Sequence, residues 1–169
     1  HTSDVLILPA YTKNSTFAGN IIVDGTSAIT FGSNGGKVIL DSSNFQNISK
    51  TGSYNPTIKK LELQNVGAVC TLNVPLSVTD SIIFTSGYLA TDTTNLLTIP
   101  DNCKVSGASN YSVILGPIKK IGNDAFTFPF GEVWTGPPPI FAVPDYVYHP
   151  LTISAPTNAT DAFTAQYFS

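Results

Sequence analysis

No apolar run in this chain is long enough to make a packed helix. The best ones last four to six residues, and Gly or Pro interrupts most windows of helical length. What the chain repeats instead is a short β-branched or aromatic run closed by turn residues. Val5-Leu6-Ile7-Leu8, Asn20 to Asp24, Ala28 to Phe31 and Lys37 to Leu40 are the first four. Ile58 to Leu63, Ala68 to Leu72, Ser81 to Phe84, Tyr88 to Ala90 and Leu96 to Ile99 follow. Such residues suit a half-buried pleated surface. Asp24-Gly25 and Gly32 to Gly36 supply turn chemistry between them. Twelve prolines and thirteen glycines spread along the chain complete an all-β pattern.

The spacing narrows the class further. Between Ile58 and Val105 the runs recur every 7–14 residues, joined by tight polar arcs rather than Asn-Gly hairpins. Leu76 to Leu89 reads as two consecutive β-arcs, and Leu89 through Asp92-Thr93-Thr94-Asn95 into Ile99 as another. This predicts a short parallel β-solenoid; the alternative is a single β-sandwich, which has similar spacing. After Gly116 the composition changes. Pro117, Pro129, Pro137 to Pro139, Pro144, Pro150 and Pro156 fall there, with Phe126, Phe128, Phe130, Trp134, Phe141, Tyr146 and Tyr148. The expected organisation is a solenoid-like region over 1–116 packed with a small sandwich-like, aromatic and Pro-rich β subdomain or cap over 117–169.

Charge excludes some partners. Charged residues make up 11% of the 169, against roughly 25% in an average soluble domain. All eight basic residues are Lys, and the net charge is −3. Without Arg, the usual bidentate reader of phosphate and guanine, nucleic-acid binding is not expected. No run of about 18 apolar residues exists, so no membrane-inserting helix is expected. The chain has no Met, and His1 reads as a processed or cut end. Cys70 and Cys103 allow one disulfide or two buried free thiols.

Several phrases are similar to those of a known class. Thr85-Ser86-Gly87-Tyr88-Leu89 followed by Leu96-Leu97-Thr98-Ile99 resembles the Leu-Thr-Ser-Gly arcs of large Bacteroidetes-type surface proteins exported by the type IX route. Gly116-Pro117-Ile118-Lys119-Lys120 through Phe126-Thr127-Phe128-Pro129-Phe130-Gly131 resembles their recurrent Gly-Pro-Val-Lys … Phe-Thr-Phe-Pro-Val-Gly element. His149 to Pro156 and Phe163 to Phe168 resemble its closing strands. The matches cover about half the chain, mainly 76–131 and 148–168. The departure is the long insert 132–148. The resemblance implies a secreted, cell-surface, non-catalytic module of a larger bacterial polypeptide, adhesin-like in character.

Signals for catalysis are weak. Most carboxylates sit in turns, as Asp24, Asp41, Asp92, Asp101 and Asp124 do, and Glu62 is expected to point outward if Leu61 and Leu63 face the core. There is no Gly-x-Ser-x-Gly elbow, no cysteine beside a histidine and no calcium-loop motif, so no cofactor is expected. His1 with His149 could form an N-terminal copper brace for oxidative polysaccharide cleavage, a remote alternative. Trp134, Tyr146 and Tyr148 are the candidate ligand-binding aromatics, either stacking on surface glycans or plugging the core. The leading expectation is a structural or adhesive module. Its partners would be neighbouring modules or identical subunits, and Val5 to Leu8 could add as a strand to a neighbour's sheet.

Overall fold

The computed structural model describes residues 14–24, 30–32, 35–133 and 146–168. Within them there is no helix; the chain winds as a parallel β-solenoid. A partial coil opens it with β1 (Ser15–Phe17) and β2 (Ile21–Val23). The first complete coil holds β3 (Thr30–Phe31), β4 (Val38–Leu40) and β5 (Gln46–Lys50). The second and third are single strands bent around the corners, β6 (Thr57–Leu72) and β7 (Leu76–Ala90). The fourth is β8 (Leu97–Ile99), β9 (Lys104–Ser106) and β10 (Ser112–Leu115), and β11 (Ile118–Ile121) opens a fifth.

Register sets the repeat. Ser15, Val38, Leu61, Ile82 and Val105 stand in one parallel ladder, so successive coils advance by 23, 23, 21 and 23 residues. A second wall aligns Gln46, Cys70, Leu89 and Ile114. The third aligns Thr57, Ser77, Thr98 and Lys119. Side chains alternate along each strand, so every second residue enters the interior. Leu40, Leu61, Leu63, Leu72, Ile82, Leu89, Leu97, Ile114 and Ile118 are buried completely. Each such side chain contributes about 1.5–3 kcal/mol by leaving water. Glu62, between Leu61 and Leu63, takes the outer face as the alternation requires.

Corners decide how closely the coils approach. At Gly87, φ is +85°, and a Cβ would lie 2.0 Å from the Asn65 carbonyl oxygen of the coil before. Only glycine combines that backbone with that contact. Asn65 itself is buried; its Oδ1 accepts from the Ser42 amide at 2.7 Å and its Nδ2 donates to Gln46 Oε1 at 3.2 Å. Gln46 Nε2 then donates to the carbonyls of Phe17 and Gly19. This buried amide chain ties the first coils together.

The parallel stack continues beyond residue 116, because β11 pairs in parallel with β8. Then the strand direction reverses. β12 (Phe126–Phe128) and β13 (Gly131–Val133) are followed by β14 (Tyr146–Tyr148), β15 (Leu151–Ile153) and β16 (Ala162–Ala165). β12 pairs antiparallel with β15, β13 with β14, and β16 with β11. Phe126, Phe128 and Phe130 plug the interior here: Phe128 meets Phe126 edge-on at 4.9 Å and stacks on Phe130 at 5.2 Å. Val5 to Leu8 and Trp134 lie outside the described residues.

Gly87→Ala is expected to lose about 1–3 kcal/mol through the forced positive φ and the carbonyl clash. A urea melt reads it as a lower midpoint at unchanged slope. A midpoint equal to the parent's would mean the corner does not limit coil spacing.

Candidate functional site

Two places at the C-terminal end of the stack carry side-chain chemistry. The first is the β13–β14 hairpin. Tyr146 and Tyr148 stand two apart on β14 and so share a face, as a strand demands. The Tyr146 ring lies 3.7 Å from that of Tyr88, on the outer face of the wall containing Leu89. Gly131 packs so close to Val113 that a Cβ would come within 2.4 Å of its methyl carbon. The hairpin therefore roofs the outer side of that wall, burying Tyr88 and Val113. The Tyr148 amide is held by Asn110 Oδ1 at 2.8 Å.

His149 follows on the same segment. Its Nε2 lies 2.8 Å from Glu132 Oε1, and its ring stacks on Tyr167 at 4.2 Å, nearly parallel. His149 is thus engaged at its Nε2 and at its ring face, while His1 lies outside the described residues. Of the three aromatics singled out in the sequence, the structure brings Tyr146 and Tyr148 together. Their neighbour Tyr88 was not a candidate, since nothing local links it to the insert.

The second place is a groove. The wall that runs from β1 to β9 in unbroken register changes at the next coil, where β12 turns to β15 instead. An open groove of about 700 Å³ follows that break. Ile83, Lys104, Val105 and Ser106 line one side, and Ala125 and Phe126 the other.

Beside it lies Lys120, entirely buried, in line with Ile99 of the coil before. All three of its ammonium protons find oxygen: Asp124 Oδ1 at 2.6 Å, the Pro100 carbonyl at 2.9 Å and the Ile121 carbonyl at 3.0 Å. The charge also sits 5.3 Å from the centre of the Phe126 ring. A buried ammonium with full hydrogen bonding and a carboxylate partner is tolerable; an unpaired one is not. For Asp124, burial works to raise the pKa, but the hydrogen bond from Lys120, the Lys120 charge and the Asn102 amide outweigh it and hold the carboxyl below its ordinary value.

Glu62 shows the same balance on the second coil. Its burial is offset by hydrogen bonds from Lys37, Gln64 and Thr85, and its pKa is lowered. Each of its oxygens is occupied by a neighbour on its own or an adjacent coil. The turn carboxylates behave as turn residues: Asp92 Oδ1 accepts the amides of Thr94 and Asn95, both at 2.7 Å. Among the described residues no group of three His, Cys, Asp or Glu is arranged to hold a metal ion.

The disulfide allowed by the sequence does not form. Cys70 and Cys103 are free and buried, on different walls and two coils apart. Burial pushes each thiol up to about 12. Compared with protein-family models, curated proteins and solved structures, the chain matches none.

Two outcomes are expected. A thiol reagent at pH 8 should label the native chain slowly, then titrate two thiols in denaturant without reductant; no thiols in denaturant would mean a disulfide. For Asp124, the folded pKa lies below the unfolded value of about 3.9, so its contribution is complete above that pH and fades as pH falls through the folded value. Asp124→Asn should therefore cost about 1 kcal/mol at pH 7, with the difference from the parent shrinking below about pH 4. An equal difference at pH 2 would show that the carboxylate charge is not what Lys120 needs.

Proposed function

We propose that this chain is a non-catalytic structural or adhesive module of a larger secreted bacterial surface protein, working by stacking with neighbouring modules or identical subunits. The observation that carries the reading is the state of its strand edges. Among the described residues β1, β2 and β3 each pair on one side only, at one end of the stack, and β16 pairs only with β11 at the other. None of these four strands contains a charged residue or a proline. Folded proteins normally protect such edges with Lys, Pro or a covering segment. Edges left neutral suit a molecule that meets another β surface end to end. The exposed Phe163, on β16, and Leu151, on β15, add apolar surface there.

The resemblance in the arcs and in the Phe-Thr-Phe-Pro segment supports an extracellular, cell-surface location. A neutral coat of Ser, Thr and Asn fits that setting.

A second reading is a glycan-binding module. It draws on Tyr146 and Tyr148 sharing one face of β14 at the base of the insert that carries Trp134. Against it, the Tyr146 ring is already packed on Tyr88.

Electron microscopy with size-exclusion light scattering separates the two. Filaments or regular oligomers are the expected result. A strict monomer at high concentration, retained on a polysaccharide column and released by Trp134→Ala, would replace the structural reading with the glycan one.

A further inference from the structure

The groove between β9 and β12 has the form of a missing strand. On one side β9 is hydrogen-bonded in parallel to β7, leaving half of its backbone N–H and C=O groups directed at the break. On the other, β12 is bonded to β15. Both ends of the break are closed. At one corner a Cβ on Gly122 would come within 2.3 Å of Asp101 Oδ1, and at the other the Ile114 amide donates to the Pro129 carbonyl at 2.9 Å. An extended residue fills roughly 160 Å³, taking about 3.3 Å along the strand, 4.8 Å between strands and 10 Å between faces. The open groove, about 700 Å³, has room for a short extended segment.

We propose that this groove accepts residues Val5 to Leu8 of a second copy of the chain as a parallel strand beside β9. This rests on the assembling module proposed above and names the joint. The segment is short and apolar, a match for the short β9, and Pro9 ends it because proline cannot continue a ladder. Charge fixes the register. Lys104 is exposed on the outer face of β9 at the start of the strand, and Asp4 directly precedes Val5. In the parallel register that sets Asp4 beside Lys104, Val5 faces inward beside Val105. Leu6 faces outward beside Ser106, the last residue of β9, and towards Ile83, and Ile7 reaches the corner at Gly107. The antiparallel direction would carry Asp4 away from Lys104.

The test uses the full chain with a leucine-sized diazirine side chain at position 6, mixing ¹⁵N-labelled and unlabelled copies before irradiation. The expected crosslink joins position 6 of one copy to peptides containing Ser106 or Ala125 of the other, as mixed-isotope pairs. Lys104→Glu, an exposed change, should weaken association about fivefold, and Asp4→Lys should restore it. Crosslinks within single-isotope chains would mean the arm folds onto its own molecule and would overturn the second-copy assignment. Light scattering that shows assemblies, with no crosslink to the groove, would overturn the joint and leave the structural module standing. Monomers without crosslinks would remove both.

Discussion

The backbone of each coil is completed only by the coils beside it. A parallel strand directs its amides and carbonyls to both sides, so a wall residue such as Val78 depends on Ile58 before it and on the strand after it. That dependence holds the register, and the register determines what reaches the interior. A slip of one residue at β6 would turn Leu61 and Leu63 outward and bring Glu62 in. The lowered pKa of Glu62 and its three hydrogen-bonding neighbours belong to the outer face alone. Polar chemistry on one face and apolar packing on the other therefore specify the same alignment.

Corners add a second constraint. Coils can sit at strand spacing only if the chain turns without bulk between them. Gly87 lies against the Asn65 carbonyl, and Gly107 and Gly116 lie as close to the carbonyls of Phe84 and Thr91. The polar residues that enter the interior do so next to corners, where backbone groups need partners. Gln46 reaches two carbonyls of the opening coil, and Lys120 reaches two of the fourth and fifth. Gln46 and Lys120 thus answer backbone carbonyls that the corners leave without a ladder partner.

Much of this was legible in the sequence because the stack is built from local pieces. Leu76 to Leu89 read as arcs, and it is one bent strand passing from wall to wall. The parallel arrangement followed from arcs without hairpins. β5 did not stand out: Gln46 to Lys50 contains one apolar residue, Ile48, and its inward Gln46 is explained only by carbonyls far away in sequence. Nothing in the run Ile118-Lys119-Lys120-Ile121 marks which lysine is buried, and the alternation of β11 places Lys120 inside. The two tyrosines of β14 shared a face by simple periodicity, but their neighbour Tyr88 comes from the third coil. Contacts across coils depend on where the chain has wound, and a degenerate repeat, whose advance differs from wall to wall, hides that from a linear reading.

The two ends of the stack differ in kind. A parallel ladder can be extended by translation, because each coil offers the next the edge it received. β16 ends that symmetry by running against β11, and β12 ends it on a second wall by turning to β15. The third wall keeps its direction one step longer, through the bridge between Ile114 and Phe130. The last coil is thus closed on two walls by reversed strands, while β9 keeps an edge of the parallel type. A joint of the kind proposed above, on β9, would bring unlike ends together, and unlike ends give a polar, head-to-tail series rather than a closed pair.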